Sequence, residues 1–269
     1  MIGNSVHGTV DKATDNAAFE YTARAGFAAS GLLHLLLAFI VVRLAFGVGG
    51  NADQSGALAT LAAQPGGAVM LWIAAIGLCA LGLWRIAEAV VGSKPSEKSG
   101  DDSPAWKRGK SVCLAVVNFA VALSAARFAM GGGQSTSQQN AGMSAQLMQS
   151  GWGKAVLIAV GIGVAAVGGY HVYKGVSKKF LDDLRVSGGT GVVAVGITGY
   201  VGKGLVLAGA GLLVLVAVLQ ADPSKSTGLD AAVKTLGQAP FGKFLLVLAA
   251  LGIAAFGAYS FVRSRHGRM

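Results

Sequence analysis

Apolar and polar positions alternate along this chain on the scale of whole segments. Predominantly apolar windows of twenty or more residues run from Ala23 to Phe46, Gly67 to Val91, Gly109 to Met130, Gly153 to Val176, Gly199 to Leu219 and Gly242 to Val262. As helices rising about 1.5 Å per residue, each is long enough to cross a hydrocarbon layer of ~30 Å. The pattern predicts an all-α integral membrane protein with six transmembrane helices. The spans fall into pairs, and the pairs repeat: Gly67, Gly77, Gly82 and Trp84 recur with identical spacing as Gly153, Gly163, Gly168 and Tyr170, then as Gly242, Gly252, Gly257 and Tyr259. Three tandem two-helix repeats suit a pseudo-three-fold bundle. Because a missing side chain lets helices approach closely, Gly77, Gly163 and Gly252 are expected at equivalent depths against neighbouring helices.

The polar joins divide the chain into an N-terminal segment (1–21), repeat one (22–91), a linker (92–105), repeat two (106–185), a second linker (186–196), repeat three (197–263) and a tail (264–269). Gly92 to Ala105 and Ser187 to Gly191 read as solvated joints. Lys178, Lys179, Asp182 and Asp183 form two i,i+4 pairs, expected to carry the fourth helix a turn or two beyond the membrane. Val10 to Tyr21 reads either as a short interfacial helix or as a polar tail. Asp11, Asp15 and Glu20 interrupt the place of a secretory signal core, so the first span is expected to be retained. The three joins within repeats hold about twenty residues, more than a helical hairpin needs. Each carries a small apolar segment (Ala57 to Leu61, Met143 to Met148, Leu229 to Leu236), expected as a short helix lying on the membrane surface.

The outer-join pattern is Gly-Ala-Leu-x-x-Leu-x-x-Gln-Pro-x-Gly in repeat one and Leu-Asp-Ala-Ala-x-x-x-Leu-x-Gln-x-Pro-Phe-Gly in repeat three. With the three-fold pairing and the ending Phe-Gly-Ala-Tyr-Ser at Phe256 to Ser260, it resembles the bacterial membrane family catalogued as domain of unknown function 1206, common in actinobacteria. The resemblance runs from about Phe19 to Arg268. It implies a topology and carries no activity. Repeat two departs from the pattern, with Gly151-Trp152 where the others hold proline, so its outer turn is expected to differ.

Composition changes the picture in one respect. Only 13% of residues are charged, against 53% hydrophobic, and Gly fills 41 of 269 positions, an excess typical of membrane helices. The net charge of +10 would suggest nucleic acid in a soluble protein, but here it lies in the connections between spans, and no nucleic-acid partner is expected. With the N-terminus inside, 16 of 22 basic residues fall on the cytoplasmic side. The positive-inside rule therefore places both termini in the cytoplasm and the protein in the bacterial plasma membrane.

Chemistry is sparse. Cys79 and Cys113 lie within spans, without metal or disulfide spacing, and are read as small packing residues. There is no catalytic set or phosphate loop, so no enzyme activity, cofactor or metal is expected. Haem is disfavoured because His34 sits near mid-span and His171 near the inner boundary, some 10 Å or more apart in depth. Polar groups inside spans are the default candidates. They are His34 and, in the matching register, Asn118, as a polar spot on the bundle's inner wall or as an interhelical hydrogen bond. A stripe on the second helix of each repeat ends in Glu88, Lys174 and Arg263, either a cytoplasmic ion network or an aromatic belt with snorkelling charges. Arg43 and Arg127 occupy equivalent outer ends, as snorkelling residues or contacts to anionic headgroups. Two functions fit: a non-enzymatic protein that binds or supports membrane lipid or a membrane protein complex, or a small-solute transporter with a path between the three repeats.

Overall fold

The computed structural model describes residues 17–91, 104–185 and 189–267. Most of the expected N-terminal interfacial helix, nearly all of the first linker and part of the second lie outside them. Among the described residues there are nine α-helices, three to a repeat in the order long, short, long. Repeat one comprises α1 (Ala17–Ala45), α2 (Gln54–Ala62) and α3 (Gly67–Val91). Repeat two has α4 (Pro104–Ala129), α5 (Thr136–Met148) and α6 (Gly151–Val176), then a 3-10 turn, Lys179–Asp183. Repeat three has α7 (Thr190–Gln220), a second 3-10 turn (Pro223–Ser226), α8 (Leu229–Gln238) and α9 (Gly242–His266). The six long helices are the six apolar spans, and the protein is an all-α membrane protein.

The short helices α2, α5 and α8 lie at one end, hereafter the capped face; the far ends of α1 and α9 mark the terminal face. Each short helix turns directly into the next span, which explains the glycines that open the repeated spacing. A methyl group at Gly67 would lie 2.0 Å from the Leu61 carbonyl oxygen, and one at Gly153 would lie 2.0 Å from that of Leu147. In repeats one and three the residue just before this glycine, Gly66 or Phe241, has a left-handed backbone (φ 75° and 60°). Repeat two does differ: α6 starts two residues earlier, its first turn capped by the Ser150 hydroxyl, which accepts from the Gly153 N–H at 3.0 Å.

The capped face is tied across repeats by buried carboxylates. Asp53 caps α2 by accepting from the Gly56 N–H (2.8 Å) and also accepts from Ser55 and from the Ser137 N–H and hydroxyl of repeat two. Asp230 of repeat three accepts from the Ala52 N–H of repeat one at 2.8 Å and pairs with Lys234. Beneath them Leu58, Ala57, Val41, Leu71 and Val233 form a closed apolar core.

The spans neighbour one another in ring order: α1 on α3, α3 on α4, α6 on α7, α7 on α9, and α9 back on α1. The exception is α4 against α6, the two spans of repeat two, which do not pack along their lengths. Within repeats one and three the spans meet backbone to backbone: a methyl group at Gly26 would sit 2.5 Å from the Gly77 carbonyl oxygen, and one at Gly202 would sit 2.5 Å from Gly252 Cα. Gly163, the counterpart of Gly77 and Gly252, faces open space, with no atom within 4 Å of an added Cβ. The expectation of three equivalent close contacts is thus corrected to two. In the register that matches Arg43 with Arg127, Lys110 stands where repeat one has Gly26, and a lysine cannot provide that approach. Cys79 packs against the core, whereas Cys113 is exposed on α4 and does not fill a packing position.

Candidate anion site

The terminal face is organised by a turn where the sequence predicts a continued helix. α6 stops at Val176 rather than extending, because Lys178 takes a left-handed backbone (φ 57°) and the chain folds back. Phe180 then enters the bundle fully buried, in space left by Gly196, where a Cβ would lie 2.2 Å from its ring. Its carbonyl accepts from the Tyr259 hydroxyl at 2.6 Å, and its ring stacks on Tyr200 at 5.5 Å. Phe180, Leu184, Tyr200 and Tyr259 form a buried cluster that pins this turn to α7 and α9.

The same turn aims Asp183 back at the spans. Its Oδ2 lies 2.7 Å from Lys174 Nζ, 3.6 Å from the Arg263 guanidinium and 3.5 Å from the Tyr200 hydroxyl, which donates to it. Burial alone would push this carboxyl up; Arg263 and Lys174 outweigh it and hold the group down at about 2. The carboxylate joining Lys174 to Arg263 is therefore Asp183, and the expected network through Glu88 is corrected. Glu88 instead pairs with Arg85 at 2.6 Å, one turn back on its own helix, and accepts from the Ser111 hydroxyl of α4 at 3.0 Å. The i,i+4 pairing of Lys179 with Asp183 gives way for the same reason: the helix that would have aligned them ends first.

One turn further in, three repeats contribute to a single locus around Phe256 of α9. The His34 ring of α1 packs on Phe256 at 4.9 Å between centroids and the His171 ring of α6 at 6.4 Å, and Lys203 Nζ of α7 stands 3.8 Å over its face. The two histidines thus flank one ring. His34 Nδ1 lies 2.7 Å from the Ser30 carbonyl and His171 Nδ1 2.8 Å from that of Val167, so each Nδ1–H is spent on its own helix and Nε2 is left for other partners. Lys203 is half-buried, and among the described residues no carboxylate pairs with it. Both histidines lie within its electrostatic reach. Lys110 of α4 approaches from the unpacked side, its ammonium 5.7 Å from the Tyr170 ring centroid of α6.

The remaining candidates are dispersed. Asn118 donates to the Leu114 carbonyl of its own helix at 2.8 Å and does not meet His34. Arg43 and Arg127 are exposed at the capped face, Arg43 5.9 Å from the Phe39 ring centroid. Lys203 was legible in part, since a lysine four residues inside an apolar window is itself a signal. Asp183 carried none, because its role depends on where α6 stops.

A family model described as Domain of Unknown Function (DUF1206) matches the chain three times, at residues 25–92, 110–178 and 198–267. Among curated proteins, "Uncharacterized protein YxxB" of Bacillus subtilis (strain 168) is 28% identical over 257 residues, covering 91% of this chain and 90% of its own length. No solved structure matches. The family segments coincide with the three long-short-long units and together cover most of the residues, so the chain belongs to the DUF1206 family as three copies of its repeat.

Proposed function

We propose that this is a non-enzymatic protein of the bacterial plasma membrane, with both termini cytoplasmic, that binds an anionic membrane component at its terminal face. The observation that carries this reading is the charge balance there. Among the described residues, Lys110, Lys174 and Arg263 gather about one carboxylate, Asp183, while the Lys203 ammonium one turn further in has an aromatic face as its counterpart instead of a carboxylate. A cation held within a membrane span is costly unless it is paired, so an anion from outside the chain completes the set. The orientation follows from the basic residues, which concentrate on the terminal side.

The features at the two ends support lipid binding over an axial solute path. Carboxylate-tied short helices cover one end, and at the other Phe180, Tyr200 and Tyr259 fill the space between the turn, α7 and α9. The test is to extract the protein from its native membrane in mild detergent and identify what accompanies it by mass spectrometry. Near-stoichiometric anionic phospholipid is expected. Exclusively zwitterionic lipid, or a soluble solute in its place, would refute the reading.

A further inference from the structure

Among the described residues the ring of spans is open between α4 and α6, and a lysine stands at the terminal end of that opening. α4 and α6 are the most exposed spans, and Gly163, whose counterparts in the other repeats are covered by a neighbouring helix, has no atom within 4 Å of an added Cβ and shares a helix face with Tyr170, which meets Lys110 of α4. Lys110 and Lys174 flank the seam near the terminal face, one on each helix, and Lys203 stands behind them beside His171. The exposed large side chains of α4 and α6 at bilayer depth are apolar, Val116, Val117, Val160 and Val167 among them, and cations stand at the terminal end, which is the polarity order of a phospholipid: acyl chain, then phosphate. A headgroup entering here would pass the Lys110 ammonium and exchange hydration for that of Lys203, which no carboxylate among the described residues pairs.

We infer that the α4–α6 seam is the lateral entrance and seat of an anionic phospholipid from the leaflet at the terminal face, its acyl chain between the two helices and its phosphate on Lys203, with Lys110 at the mouth of the seam. This rests on the reading of the protein as a binder of an anionic membrane component and adds the place, the route and the lipid class. It also assigns the departure of repeat two a purpose: Lys110 in place of a glycine both holds the spans apart and draws an anionic headgroup to the mouth of the seam. The ligand is drawn from the bilayer and not from solution, because the site is reached through the membrane-facing side of the ring.

The experiment uses the full chain, stripped of lipid in detergent and returned to vesicles of equal phosphatidylglycerol and phosphatidylcholine. Retained lipid is counted by native mass spectrometry after gentle extraction. The wild type is expected to retain phosphatidylglycerol in preference, Lys203→Arg to match it, and Lys203→Gln to retain about tenfold less, the loss of one charge-assisted contact. Gly163→Trp, which adds bulk where nothing stands within 4 Å, is expected to block the seam and exclude the lipid. In lipid-free detergent Lys203→Gln should melt at a higher temperature than the wild type, since it removes an uncompensated charge, and phosphatidylglycerol should raise the wild type's melting temperature alone. Full retention by both Lys203→Gln and Gly163→Trp would overturn the seat and the route while leaving the broader function intact. A wild type without preference for phosphatidylglycerol would overturn the broader function itself. Stabilisation by inorganic phosphate equal to that by the lipid would overturn the bilayer as source.

Discussion

Asp183 is the residue on which the terminal face turns, and its titration makes a measurable difference. Its folded pKa, about 2, lies below the ordinary 3.8, so its contribution is fully present above about pH 4 and is lost as pH falls through 2. The difference corresponds to roughly 2 kcal/mol. Chemical unfolding of the detergent-solubilised protein between pH 5 and pH 2 should show this loss, and Asp183→Asn should abolish most of the pH dependence while lowering stability at pH 7. On the capped face, Asp53→Ala removes the acceptor for two buried N–H groups and two hydroxyls. A cost of about 2–4 kcal/mol is expected, from the lost cap together with the unpaired partners, with Asp53→Asn milder. Equal stability of Asp53→Ala and wild type would show that the cross-repeat tie does not hold the cap.

At the scale of elements, the three repeats share a plan and differ in how closely their spans meet. Placing leucine at Gly252 forces side-chain atoms into the Gly202 backbone, where even a methyl group would sit 2.7 Å from Cα; the same change at Gly163 meets nothing. Gly252→Leu should therefore destabilise by about 1–3 kcal/mol or more and Gly163→Leu by much less. Comparable losses at both positions, read from thermal unfolding, would mean that α4 and α6 pack as the other pairs do. The end of α7 gives a change of opposite sign. Ala221 caps it in a left-handed conformation, φ 50°. Ala221→Gly should stabilise by about 1 kcal/mol, because glycine adopts that backbone without steric penalty.

For the whole molecule, six spans place the two ends of the chain on one side, and the capped joins on the other. Reporters fused after Met269 or inserted at Ser99 should read as cytoplasmic, and reporters at Asp53, Ser137 and Lys225 as external. Any external site reading as cytoplasmic would contradict the proposed orientation. An open seam on one side of the ring also makes the molecule asymmetric despite its three-fold ancestry in sequence: α3 with α4 forms one flank and α6 with α7 the other.

The number of spans, their order in three repeats and the short helices at one end were written in the sequence, because each depends on residues near one another along the chain: hydropathy over a membrane's width, glycine spacing, and apolar segments before a helix start. What only the tertiary structure decided was which faces of those spans meet. Helices that are apolar nearly all round carry no stripe to fix their rotation about their own axes. The sequence could therefore place Glu88, Lys174 and Arg263 at one depth without revealing that Glu88 turns to Arg85 and Ser111. It could place Asp183 beyond α6 without revealing that a left-handed residue at 178 sends it back to Lys174. The gathering of His34, His171 and Lys203 about Phe256 joins residues up to 222 positions apart on four helices, and such a meeting is settled by close packing at glycines in two repeats and its absence in the third.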